Sequence, residues 1–285
     1  MTRRRFPVGK TLLYVFMSLW ALTTIYPFIW VILNSFKPRG LIRSDTFSLP
    51  IGDKFTLENY VTAFKRVDIG TAYVNSIVIS GAVTVVVMVL AGLAAYAMVR
   101  YSFRLRAFLH SMIIASMMFP VFSTIIPVFR MESSWGIVNT GSIWLTRLSV
   151  VLPQIAGNLS FAIIVLMGFI RSLPVDLEEA AYLEGYNVYQ IFFRIIMPLA
   201  KPSFATVGIF TFLWSYNDLF LQMFFLRSKK FFTITRLLNE ISSQAGTNYG
   251  LMVAAVVMVV IPVLVVYIFL QNYIIKGMTA GAVKG

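Results

Sequence analysis

The stretch RSLPVDLEEAAYLEGYNVYQIFFRIIMPLAKPS, residues 171–203, decides how the whole chain is read, because it is polar, plainly structured and set between two long apolar blocks. Ser172 can cap a helix with Pro174 in its first turn, and Asp176 suits the positive end of that helix's dipole. Leu177, Ala180 and Ala181 form an apolar face, and Gly185 supplies a left-handed exit. Asn187 can cap a second helix on which Val188, Ile191, Phe192, Ile195 and Ile196 recur at i, i+3, i+4, i+7 and i+8. Pro198 then stops it. The spacing predicts two short amphipathic helices meeting at a sharp angle, a unit shaped to dock into a partner and move with it.

Outward from this segment the chain is too apolar for water. Of 285 residues 59% are hydrophobic and 12% charged, and the mean hydropathy is +0.82, whereas soluble domains average about 45–50% and about 25%. A bilayer-spanning helix needs about 20 predominantly apolar residues. Six blocks qualify, at roughly 11–36, 72–99, 107–130, 143–170, 203–226 and 249–270. Lipid offers no partner to an unpaired backbone group, so the expected fold is an all-α membrane bundle in one domain. The connection 171–201 and the tail 271–285 lie at the same face of the membrane. The first block follows Arg3, Arg4, Arg5 and Lys10, but its apolar run is too long for a signal peptide and lacks a small-x-small cleavage pattern. It is expected to remain as the first span. Those four basic residues, with Arg100, Arg104 and Arg106 in the short connection after the second block, place both termini in the cytoplasm.

The net charge of +13 is dispersed over the connections, where it meets anionic headgroups, and no nucleic-acid-binding module surrounds it. No cysteine is present, which excludes disulfides, thiolate metal sites and a cysteine nucleophile. The lone His110 makes neither a metal cluster nor a triad. No Gly-x-x-x-x-Gly-Lys-Ser/Thr loop exists to hold ATP phosphates, and no pair of carboxylates is placed for acid–base work. Pro27, Pro120, Pro127, Pro153 and Pro262 interrupt spans, where neighbours can satisfy the freed carbonyls. Ala91 and Ala95 sit one turn apart for close helix contact. Polar residues inside spans are costly and usually face an interior: Gln154, Asn158, Asn217 and Asp218 stand out, with Trp214 and Tyr216 close to the last two in sequence, and interspan hydrogen bonding is their plain role.

The 171–203 stretch resembles the cytoplasmic signature of permease subunits of binding-protein-dependent ABC importers: Glu-Ala-Ala, three residues, Gly, nine residues, then Ile-x-Leu-Pro. Glu179, Ala180, Ala181, Gly185, Ile195 and Pro198 fit that spacing, with Met197 in place of the leucine. Further segments are similar to the carbohydrate-importer branch: SFKP at 35–38, FTLENY at 55–60, AAYAMVRYSFR at 94–104, WSYNDLF at 214–220 and KGMTAGAVKG at 276–285. The resemblance implies a type I (MetI-like) permease with six transmembrane helices in a bacterial or archaeal cytoplasmic membrane. It implies a second related permease, two ATPase subunits that hold ATP and magnesium, and an extracytoplasmic solute-binding protein that delivers a sugar or oligosaccharide. The chain itself would hold no cofactor, no metal and no enzymatic centre. Glu179 would make a charged contact with the ATPase, and Lys276, Gly277, Gly281 and Lys284 would reach between ATPase subunits. Ser243, Gln244 and Asn248 would face the binding protein, and Gln154, Asn158, Asn217 and Asp218 would line the substrate path, with Trp214 and Tyr216 as aromatic walls for a sugar. An importer for glycerol phosphate or another polyol is the nearest alternative. An ion-coupled secondary transporter would have to work through Asp218, the one acidic residue inside a span, without an inverted repeat.

Overall fold

The computed structural model describes residues 8–66, 68–246 and 248–282. Those residues form helices and connecting turns, with no strand among them. In chain order the helices are α1 (Val8–Ser35), α2 (Arg39–Ser44), α3 (Glu58–Arg66), α4 (Ile69–Arg100), α5 (Arg106–Ser116), α6 (Val121–Ser134) and α7 (Ile143–Ile170). They continue with α8 (Asp176–Leu183), α9 (Val188–Leu199), α10 (Lys201–Asn217), α11 (Phe220–Phe225), α12 (Ile234–Ala245) and α13 (Tyr249–Ala282). Three helices are long and apolar enough to cross a membrane by themselves: Gly9–Ser35 within α1, then α4 and α7. Two bent pairs raise the number to five, and Tyr249–Val265 within α13 is a shorter apolar stretch.

The chain divides into two compact units. The larger holds residues 69–237 and 263–285, with α4 at its centre, packed chiefly against α7 and α10. Val83, Val87, Ala91 and Ala95 recur every fourth residue and are fully buried, so one row of small side chains lets neighbouring backbones approach. Gly92 belongs to the same contact: a Cβ there would lie 2.8–2.9 Å from the rings of Phe192 and Phe204. At the far end of α4, Asn75 donates to the carbonyls of Lys230 (3.3 Å) and Phe232 (3.1 Å) and accepts from Arg147 of α7 at 2.9 Å. The hydroxyl of Ser76 accepts from the Ile234 amide at 2.9 Å. Side chains of α4 thereby satisfy the loop backbone around 230–234, which sheet or helix bonds would otherwise have to do.

Of the prolines expected to interrupt the apolar blocks, Pro120 alone stands at a helix break. Pro27, Pro127, Pro153 and Pro262 lie inside α1, α6, α7 and α13, and the other break falls at a polar pair, Asn217 and Asp218. The block expected at 107–130 is two helices bent by 104°, with Pro120 at the cap of α6; a proline disfavours helical geometry in the residue before it and removes a donor. The block expected at 203–226 breaks after Asn217, and Asp218 starts α11 by accepting from the Leu221 amide at 3.1 Å. The 271–282 part of the predicted tail continues α13 as helix.

The smaller unit comprises residues 1–68 and 238–262. The outward side chains of α1 from Gly9 to Ile29 are exposed, as lipid-facing residues are. Beyond α1 the chain folds around Lys37, which is 0% exposed. Its ammonium donates to the carbonyls of Asp45 (3.0 Å) and Thr46 (2.9 Å), while Asn59 donates to the carbonyls of Ser35 (2.9 Å) and Lys37 (2.8 Å). Burial pulls the Lys37 pKa below the usual lysine range, against the opposing pull of the nearby Asp45 carboxylate. The SFKP and FTLENY segments are therefore two halves of one knot. Gly250 closes it from α13, because a Cβ there would meet the Asn59 amide oxygen at 2.2 Å.

Candidate functional site

The predicted coupling segment forms as two helices, with one change of start and one change of face. Ser172 caps nothing; its hydroxyl bonds back to the Phe169 carbonyl at 2.7 Å and finishes α7. Pro174 follows in non-helical backbone, and α8 begins only at Asp176. Gly185 has φ +85 and makes the left-handed exit. Asn187 and Gln190 form a reciprocal capping box at the start of α9, at 2.8 and 2.9 Å. Pro198 lies in the last turn, the chain turns at Ala200, and α10 leaves at 82° to α9. A π-helical stretch, Phe192–Ile196, precedes the proline; such wider turns are frequent at functional sites. Ile191, Phe192 and Ile196 are buried as the periodicity predicts, Ile195 is half-buried, and Val188, which the periodicity puts on the same face, is exposed, as is Pro198.

On α8 the inward face is Glu178 and Ala181, not Leu177, Ala180 and Ala181. Leu177 is exposed, and Leu183 is 91% exposed. The inward carboxylate is fully engaged: Arg100 Nε donates to Glu178 Oε1 at 2.5 Å and the Tyr96 hydroxyl donates to Oε2 at 2.8 Å. The other arm of Arg100 donates to the Leu173 carbonyl at 2.9 Å. The pair's side chains are only 11% and 5% exposed. Tyr101 and Tyr182 add a hydroxyl contact at 2.9 Å, and the Tyr96 ring meets Phe192 of α9 at 5.6 Å. The end of α4 thus grips both short helices. Glu179, one residue on, points away and is exposed together with Ala180.

The second cluster joins α7 to the break between α10 and α11. Gln154 donates to Asp218 Oδ2 at 3.0 Å and accepts from the Ser215 hydroxyl at 2.5 Å. Gln222 donates to the Ser215 carbonyl at 3.2 Å and accepts from the Thr233 hydroxyl. Of the predicted path residues, the structure brings Gln154 and Asp218 together. Asn158 is buried but bonds to the Gln154 carbonyl on its own helix at 2.7 Å. Tyr216 is buried and stacks near Phe212, and its carbonyl accepts from Thr235 at 2.8 Å. Trp214 is 47% exposed against the edge of Phe161, at 4.8 Å. Asn217 is exposed and bonds to Leu213 of its own helix.

In the smaller unit, Asn248 starts α13 by accepting from the Leu251 amide at 3.2 Å, and exposed Ser243 bonds to the Glu240 carbonyl at 2.9 Å. Gln244 lies on α12 and Lys276, Gly277 and Gly281 on α13; the Gln244 and Lys276 side chains, and the whole of Lys284, lie outside what is described. No group of three or more His, Cys, Asp or Glu able to hold a metal occurs among the described residues.

The family described as binding-protein-dependent transport system inner membrane component matches residues 88–280. The chain belongs to that family. This permease is 33% identical to the diacetylchitobiose uptake system permease protein NgcG of Streptomyces coelicolor, over 95% of the chain and 88% of that protein. It is 31% identical to the melibiose/raffinose/stachyose import permease protein MelC of Bacillus subtilis, covering 91% of each. It is 32% identical to the trehalose transport system permease protein SugB of Mycobacterium tuberculosis, over 92% of the chain and 93% of that protein. The permease shares its fold with a chain of a bacterial ABC transporter involved in import of the acidic polysaccharide alginate, with a TM-score of 0.80, 24% identity and coverage of 96% and 99%.

The sequence pattern did not single out Glu178 or Tyr96, and it read Arg100 only as a connection charge, whereas Arg100 ends α4 and is paired with Glu178. The available signal was the Glu178–Glu179 doublet on an eight-residue helix, where only one carboxylate can face inward, together with an arginine ending a long apolar helix.

Proposed function

We propose that the chain is one permease subunit of an ATP-driven importer of a sugar or oligosaccharide, paired with a related permease, two cytoplasmic ATPase subunits and an extracytoplasmic solute-binding protein. The sugar assignment rests on relatives named for diacetylchitobiose, trehalose and melibiose/raffinose/stachyose. In this reading the apolar blocks make six spans, counting each bent segment and α13, with both termini in the cytoplasm. ATP and magnesium belong to the partner subunits.

The observation that carries the mechanism is the clamp between Glu178 and the end of α4. It leaves Val175, Leu177, Tyr182, Leu183 and Tyr189 exposed on the coupling segment, an apolar face fit for a cleft in an ATPase subunit, with Glu179 offering a charge beside it. When the ATPase dimer closes on ATP, its cleft carries α8 and α9. The buried pair and the Phe192–Gly92 contact transfer that displacement to α4, and through α4 to α7 and α10. Hydrolysis reverses the movement. The Gln154–Asp218 cluster lies on helices that would move, so a sugar hydroxyl could compete for its amide and carboxylate, a pairing typical of carbohydrate recognition.

Affinity purification of the chain from its native membrane, with identification of co-purifying subunits and an ATPase assay, tests the reading. Recovery of a second permease and an ATPase, with hydrolysis stimulated by a sugar-loaded binding protein, supports it. A chain that purifies alone and moves solute on an ion gradient overturns it.

A further inference from the structure

A cavity of about 400 Å³ opens beside the clamp, where α4 ends, α5 begins and α7 hands over to the coupling segment; it is lined by Arg104, Arg106, His110 and Arg171 over Met98 and Met167. No carboxylate lines it. Arg100 beside it is paired with Glu178, but none of these three guanidinium groups is in an ion pair with an acidic side chain. Guanidiniums that line one concavity repel one another less when an anion sits among them, and their planar forks match phosphate oxygens. Charges placed only to orient a membrane protein have no need to share a concavity.

The surroundings choose the kind of phosphate. The floor is apolar and buried at Met98 and Met167, and the side chains of α5 just beyond, Phe108, Leu109 and Met112, are exposed and apolar. A free phosphate would leave that surface unused. A phospholipid would place its phosphodiester among the arginines and run its acyl chains along α5, at the depth where headgroups meet the end of a span.

We infer that the Arg104–Arg106–Arg171 cavity binds the headgroup of an anionic phospholipid. The bound phosphate ties the turn after α4 to Arg171, the first residue beyond α7. Leu173, two residues later, is already held by Arg100. The lipid therefore extends the clamp to the entry of the coupling segment. The inference goes beyond the transport assignment and does not depend on which sugar is carried.

Mass spectrometry of the intact importer complex, purified in detergent and incubated with phosphatidylglycerol or phosphatidylcholine, tests it. The wild-type complex is expected to retain phosphatidylglycerol over phosphatidylcholine by about tenfold or more, as three arginines at an anionic surface imply. The Arg104→Gln, Arg106→Gln, Arg171→Gln variant is expected to lose that preference. Equal retention by the two proteins, or displacement of the lipid by millimolar inorganic phosphate, overturns the inference. Because the triple variant could disturb insertion, a photoactivatable phosphatidylglycerol on the wild-type complex gives an independent result. Adducts concentrated within 98–112 and 167–171 are expected, and adducts spread evenly over the spans contradict the site.

Discussion

Glu178 and Glu179 are neighbours with opposite environments, and their variants should separate. Glu178→Ala leaves the Arg100 guanidinium buried without its carboxylate, and breaking one side of a buried pair costs about 3–5 kcal/mol. Loss of assembled complex, read by size-exclusion chromatography, is the expected outcome. The Glu178→Leu, Arg100→Met double variant removes both charges and should recover assembly. Glu179→Lys has no buried partner to strand; it should insert and assemble normally while abolishing uptake, and unchanged transport would remove Glu179 from the ATPase contact. Asp218→Asn keeps an acceptor for the Leu221 amide but alters the bond to Gln154. Transport should fall more than assembly, and equal loss of both would assign the cluster to scaffolding. At this scale the sequence was legible where a residue's backbone chemistry dictated its place, as for Gly185 and Asn187. It was not legible where tertiary packing chose between neighbours: nothing local says that Glu178 turns inward while Leu183 faces out.

Among elements, the coupling segment depends on two glycines for different reasons. Gly185 has open space around it but a left-handed backbone, so Gly185→Val is strained by about 1–2 kcal/mol. It should weaken ATPase co-purification, while Gly185→Asn, which tolerates that conformation, should keep it. Gly92 has ordinary backbone geometry but no room, and Gly92→Val should push α9 off α4 and lower the complex's melting temperature. In the smaller unit, Lys37→Met removes both donors to the Asp45 and Thr46 carbonyls. Buried acceptors left unpaired cost about 1–3 kcal/mol each, so limited proteolysis should cut within 38–57 of the variant faster than in wild type. Apolar length and capping chemistry made α1, α4, α7 and α9 readable to within a few residues. The 104° bend between α5 and α6 was not, because Pro120 and Pro127 mark where a helix can break but only packing sets the angle.

For the whole molecule, membrane embedding follows from composition and the family from a spaced motif, whereas the separation of an exposed outer face from a buried inward clamp needed the fold. A continuous path runs from the exposed face of α8 and α9, through Glu178 and Arg100, to α4 and the helices packed on it. We propose that this clamp transmits the ATPase stroke. The most direct test is the number of sugar molecules imported per ATP hydrolysed by the complex in proteoliposomes, compared between wild type and the Glu178→Leu, Arg100→Met double variant, which strands no buried charge and lacks the charged clamp. Hydrolysis should persist in the double variant while the ratio falls severalfold. An unchanged ratio would contradict it.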